Sequence, residues 1–120
     1  MKVSLITTVL NEENSIKKFF DSVLKQTRSP DELIIVDGGS KDKTIEIIRN
    51  SKVKTKVIVE KGNRSVGRNI AIKNSTFDII AVSDAGCILD RNWLRNLIEP
   101  FKDESIDVVS GYYKPKVGSI

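Results

Sequence analysis

Apolar and polar positions alternate along this chain in two periods, one typical of strands and one of helices. Val3-Ser4-Leu5-Ile6-Thr7-Thr8-Val9 is an apolar, β-branched run that breaks at Asn11-Glu12-Glu13, and it reads as a first strand. Ile16, Phe19, Phe20, Val23 and Leu24 then recur at helical spacing and predict a helix over 14–26. Ser29-Pro30-Asp31 is a turn, and 33–37 is a second strand. A second helix is expected to start near Ser40 or Asp42, either of which can cap it, and to bury Ile45 and Ile48. Residues 56–60 read as a third strand and 61–64 as a loop, after which Ser65 is expected to cap a helix carrying Val66, Ile70 and Ala71. Residues 78–83 are a fourth strand. Asp90 is expected to cap a helix whose apolar face is Trp93, Leu94, Leu97, Ile98 and Phe101, and 107–113 reads as a last strand.

Such alternation predicts an α/β domain over 1–120, built on a mostly parallel sheet with helices on both faces. There are no internal repeats, low-complexity segments or linkers, so no domain boundary is expected. The tail 114–120 shows no terminating structure and reads as a chain that stops in mid-fold.

Two of the strands end alike. Leu33-Ile34-Ile35-Val36 runs into Asp37-Gly38-Gly39-Ser40, and Ile79-Ile80-Ala81-Val82-Ser83 runs into Asp84-Ala85-Gly86. Ligands of open α/β sheets bind at the carboxyl ends of the strands, so both aspartates stand at a ligand rim. Asp37 there can accept from a nucleobase N–H or a ribose hydroxyl, or it can tie down its own turn. Asp84 has small neighbours that leave room for a bulky ligand. Its carboxylate suits a hard divalent cation, Mg or Mn, whose shell diphosphate oxygens complete; the plainer reading is another strand-ending turn.

Composition narrows the chemistry. With 120 residues, 39% hydrophobic and 30% charged, the chain has the make-up of a soluble globular domain. It has one cysteine, Cys87, so no intrachain disulfide, and no histidine, so no Ser-His-Asp triad. The amino terminus has too short an apolar run for a secretory signal, which points to a cytoplasmic protein. The net charge of +4 is scattered, with no aromatic interleaving, so no nucleic-acid partner is expected; peripheral contact with a membrane surface stays open. Gly62-Asn63-Arg64-Ser65-Val66-Gly67-Arg68-Asn69 misses the lysine and hydroxyl of a phosphate loop. It can still offer Arg64 or Arg68 to a diphosphate, or be a basic surface loop. Asn11-Glu12-Glu13 is either a polar lip beside Asp37 or an acidic helix start.

In order along the chain, these motifs resemble the amino-terminal half of family 2 glycosyltransferases of the GT-A fold. The matching pieces are the first strand with Asn11-Glu12-Glu13, residues 32–44, Gly67-Arg68-Asn69-Ile70-Ala71, Asp84-Ala85-Gly86 and Asn92-Trp93-Leu94. The resemblance implies a Rossmann-like, nucleotide-sugar-binding domain. The enzyme would transfer a sugar from a nucleotide-diphosphate-sugar to an acceptor hydroxyl, with inversion and with a divalent metal. It implies that Thr8, Leu10, Glu12, Asp37, Gly39, Arg68 and Asp84 bind the donor, and that Asp84 also holds the metal. The acceptor, whether lipid, glycan or protein, and the catalytic base belong to a region beyond residue 120. Thr8 and Leu10 stand where the family usually has Pro and Tyr, Gly38 follows Asp37 where a second aspartate is common, and Gly86 replaces the last aspartate of Asp-x-Asp. A non-catalytic nucleotide-sugar binder is the alternative. A hydrolase using Asp37 and Asp84 as a carboxylate pair ranks behind both.

Overall fold

The computed structural model describes residues 1–109. Its order is β1 (Val3–Val9), α1 (Ile16–Leu24), β2 (Glu32–Asp37), α2 (Thr44–Arg49), β3 (Lys56–Val59), α3 (Arg64–Lys73), β4 (Ile79–Val82) and α4 (Trp93–Ile98), with a 3₁₀ turn at Glu99–Lys102. The strand expected over 107–113 falls mostly outside the described residues, and 107–109 carry no regular structure.

The four strands pair in the order β3-β2-β1-β4, all parallel. Val9 lies beside Asp37, and Asp37 beside Val59, so β1, β2 and β3 end at one level. Side chains alternate across the sheet. Val3, Leu5 and Val9, with Leu33, Ile35 and Ala81, meet Ile16, Phe19, Phe20 and Val23 of α1, Ile48 of α2, and Leu94 and Ile98 of α4. On the other face, Ile6, Ile34 and Val36 meet Ala71 of α3. Helices therefore cover both faces, which is why β1 and β2 read as near-continuous apolar runs.

Helix α3 comes very close to the sheet. A β-carbon built on Gly67 would stand 2.8 Å from Thr8 Cγ2, so only glycine lets this turn of α3 lie on β1 at that spacing. The opposite end of the sheet is closed by carboxylates. Glu32 Oε1 accepts from Ser4 Oγ (2.9 Å) and the Thr76 N–H (2.8 Å), while Asp31 Oδ2 accepts from the Val3 N–H and pairs with Arg28, both at 2.9 Å.

Helix boundaries differ from those expected. α1 is shorter than 14–26. The cap of α3 is Asn63, not Ser65: Asn63 is extended and its Oδ1 accepts from the Val66 N–H at 3.0 Å, which places Ser65 inside the helix. Val66 sits on that first turn and is 41% exposed rather than part of the buried stripe, which runs through Gly67 and Ala71. Asp90 lies upstream of α4, whose boundary residue is Asn92; Asp90 Oδ2 accepts from the Asn92 N–H. Ahead of α2 the boundary residue is Lys43 rather than Ser40 or Asp42; Asp42, one residue before it, accepts from the Thr44 N–H at 2.9 Å. Ile48 is buried there, and Ile45 is half-buried.

Candidate functional site

The strand order singles out one place on the rim. From β1 the chain winds outward through β2 to β3, and α3 then carries it back over the sheet to β4 on the far side of β1. The direction of winding reverses between β1 and β4, and open α/β sheets bind ligands in the crevice outside such a reversal. Thr8 and Leu10 flank it from β1, and Ser83 and Asp84 from β4. A groove of about 710 Å³ lies at the other end of the sheet, lined by Leu24, Glu32, Leu33, Lys56 and Phe77, away from every residue assigned to the donor.

Asp37 does not present a carboxylate to that rim. It is 0% exposed. Its Oδ1 accepts from the Gly39 N–H at 2.7 Å and the Ser40 N–H at 2.6 Å, which folds the glycine turn back over the strand end. Gly39 takes φ +110°, a conformation open to glycine at little cost. Of the two roles open to Asp37, the structure shows the turn-tying one through Oδ1. Asp37 Oδ2, Thr7 Oγ1 and Ser83 Oγ are also buried, without partners.

The loops after β1 and β2 are sewn together. The Asn11 N–H donates to Ser40 Oγ (2.8 Å), and Asn11 Oδ1 accepts from the Lys41 N–H (2.9 Å). The Glu12 N–H donates to Thr44 Oγ1 (2.8 Å), whose hydroxyl donates in turn to Asp42 Oδ1. Asp42 Oδ2 accepts from the Glu13 N–H (3.2 Å). Burial pushes the Asp42 carboxyl up, but the Thr44 hydroxyl and the Thr44 and Glu13 N–H groups outweigh it and hold it below the usual carboxylate range. Glu12 opens α1: its carbonyl accepts from the Ile16 N–H at 2.9 Å and its Oε2 from Ser15 Oγ at 2.6 Å. The plainer reading of Asn11-Glu12-Glu13, a helix start, therefore describes what Glu12 does.

On the β3 side, the loop before α3 leans on this plate. A β-carbon on Gly38 would stand 3.0 Å from the Gly62 carbonyl oxygen, and one on Gly39 would stand 3.8 Å from Lys61 Cγ. Leu10 (54%) and Val66 (41%) are exposed beside it, and Arg64 and Arg68 are exposed on α3. Lys61 and Thr44 escaped sequence reasoning, and Gly62 entered it only as the start of the phosphate-loop-like segment. The paired glycines at 38–39 and 62 were the available signal, since they mark close backbone approach.

Asp84 is exposed at the end of β4; its Oδ1 accepts from the Gly86 N–H at 2.9 Å. Among the described residues no group of three or more His, Cys, Asp or Glu side chains is placed to hold a metal. A lone exposed carboxylate fits a hard cation only when the ligand's own oxygens fill most of the shell. Asp84 could therefore supply one oxygen ligand to a metal that it shared with a diphosphate.

The family model described as "Glycosyl transferase family 2" matches residues 4–118. The chain belongs to glycosyl transferase family 2. The glycosyltransferase AglE of Haloferax volcanii is 31% identical over 116 residues, 91% of this chain and 38% of that protein. Residues 1–349 of Staphylococcus aureus TarS, solved in complex with UDP-GlcNAc, superpose with a TM-score of 0.74 at 27% identity, over 97% of this chain and 37% of that one. The mannosyltransferase PcManGT of Pyrobaculum calidifontis, solved with GDP-Man and Mn2+, shares the fold: TM-score 0.78, 23% identity, 88% of this chain and 33% of that one. The chain thus spans less than two-fifths of the length of these proteins. The GT-A, Rossmann-like architecture expected from the sequence is the one found.

Proposed function

We propose that this chain forms the donor-binding part of a glycosyltransferase that moves a sugar from a nucleotide-diphosphate-sugar to an acceptor hydroxyl. The observation that carries the reading is Asp84, an exposed carboxylate at the winding reversal of a family 2 sheet. Asp84 would hold a divalent cation, Mg or Mn, together with the donor diphosphate. The cation would offset the charge that develops on the departing nucleoside diphosphate. Arg68 would meet the diphosphate from α3. Thr8, Leu10 and Gly39 border the nucleoside, while Glu12 and Asp37 build the walls behind it. The acceptor oxygen bonds to the anomeric carbon as the carbon–diphosphate bond breaks; attack opposite the leaving group inverts that carbon. The hydroxyl proton goes to a carboxylate base, which has no assigned residue in 1–109.

Titration calorimetry with UDP-GlcNAc and Mn2+ tests this. Asp84→Asn is expected to weaken donor binding on the order of 10- to 100-fold. Unchanged affinity would remove Asp84 from the site. Gly86, in place of a second metal carboxylate, favours one other reading: a binder that retains the donor without turnover. Donor hydrolysis or transfer assays separate the two.

A further inference from the structure

We propose that the base of the donor nucleotide is read by Lys61 across a shelf of glycine backbone, with no carboxylate facing it. The inference rests on the nucleotide-sugar reading above and assigns its specificity-determining residue. Leu10 and Val66 are exposed apolar side chains bordering a strip in which Gly38 and Gly62 have no side chain to raise a wall. Flat peptide planes between two aliphatic side chains suit a planar ring. A carboxylate at the Gly38 position would crowd the facing loop, because its β-carbon would stand 3.0 Å from the Gly62 carbonyl oxygen.

The carboxylates of the loops after β1 and β2 are committed elsewhere, which leaves Glu60, exposed beside Lys61, as the one the test must address. Asp37 is sealed under its own turn. Glu12 is bonded to Ser15, Glu13 to the Lys43 N–H, and Asp42 to Thr44 and the Glu13 N–H. The aliphatic stem of Lys61, which carries the ammonium group, lies beside Gly39, with Cγ 3.8 Å from where a β-carbon on Gly39 would stand. A lysine only donates hydrogen bonds, so it addresses carbonyl and ring-nitrogen acceptors and ignores a base N–H. Uracil and cytosine share the O2 acceptor and differ in whether N3 carries a proton. A carboxylate reader separates them sharply, since a wrong base leaves two acceptors opposed; Lys61 does not.

The test is calorimetry of the full chain with UDP and CDP, and of uridine and cytidine as competitors. The expected ratio of UDP to CDP affinity lies within about threefold, and Lys61→Met weakens both diphosphates and both nucleosides by a similar factor, about tenfold. Glu60→Gln, altering the exposed carboxylate next along the chain, is expected to leave the ratio unchanged. A UDP preference above about tenfold overturns the proposal, as does a preference that shifts in Glu60→Gln. A Lys61→Met loss confined to the diphosphates also overturns it and gives Lys61 to the phosphates. If neither diphosphate binds the unsubstituted chain, the nucleotide-sugar reading itself fails and takes this inference with it; the other outcomes leave that reading standing.

Discussion

Thr44 shows how much one side chain does at this rim. It is 0% exposed; its hydroxyl accepts from the Glu12 N–H and donates to Asp42, and so joins the loop after β1 to the start of α2. Thr44→Val keeps the shape but strands a half-buried N–H and removes a donor from a carboxylate. The expected loss is about 1–3 kcal/mol in urea unfolding, because an unpaired buried polar group costs more than a hydrogen bond gains. Thr44→Ser keeps the hydroxyl and is expected to recover most of that loss. Equal stability of the Val variant and the unsubstituted chain would show that the relay contributes nothing. Asp37 belongs to the same scale: its residue type and place were legible from the sequence, but its role was not. A strand-ending aspartate before two glycines fits both a ligand contact and a turn tie, and only the two short bonds to the Gly39 and Ser40 N–H groups show that the tie is made.

Between elements, the tightest constraint is the contact of α3 with β1 at Gly67 and Thr8. Alanine at 67 gains about 1 kcal/mol of helix propensity over glycine. Against that, its β-carbon would overlap the Thr8 methyl at 2.8 Å, and overpacking of this kind costs about 1–3 kcal/mol. Gly67→Ala is therefore expected to lower the melting temperature. In a Thr8→Ser background the methyl is gone and the nearest atom becomes Cβ at 3.5 Å, an ordinary contact. There the same alanine is expected to be neutral or stabilising, and a thermal-melt double-mutant cycle reads the reversal directly. The elements themselves were largely legible. Strands β1 and β2 announce themselves as β-branched runs because both faces are covered, and α1 by its period. Helix ends were less so: Asn63 and Ser65 are both good caps by residue type, and the extended backbone that selects Asn63 comes from the leaning of the Lys61-Gly62 loop on Gly38 and Gly39, a contact between distant segments. The same holds for Lys61, whose place over the rim depends on β3 lying next to β2.

At the scale of the whole molecule, carboxylates brace both ends of the sheet, and this sets the acid response. Burial raises the Asp31 and Glu32 carboxyls, but the Val3 N–H and Arg28 at the first, and Thr76, Ser4 and Lys56 at the second, outweigh it; both end below their ordinary values, as Asp42 does at the rim. A group lowered in the folded state stabilises above its unfolded value, and that contribution is lost as pH falls through the lowered folded value. Stability is therefore expected to hold at neutral pH and to decline once pH drops below the ordinary values of 3.8 for Asp and 4.5 for Glu. Asp42→Asn is expected to be less stable than the unsubstituted chain near pH 7 and to converge with it as pH falls through the lowered value of the Asp42 carboxyl; a gap that persists in acid would refute the assignment. The rim poses a different question, because Asp84 belongs to no group of three or more His, Cys, Asp or Glu side chains placed to hold a metal among the described residues. A cation held by one carboxylate binds weakly alone and well only when diphosphate oxygens share it. Mn2+ titrated into the chain without nucleotide is thus expected to bind at millimolar strength or weaker, and UDP is expected to raise that affinity. By linkage, Mn2+ must then raise the affinity for UDP by the same factor. Both factors are expected to fall toward one in Asp84→Asn. If Mn2+ binds equally well with and without UDP, the cation sits somewhere other than between Asp84 and the diphosphate, and the rim works by Arg68 and backbone alone.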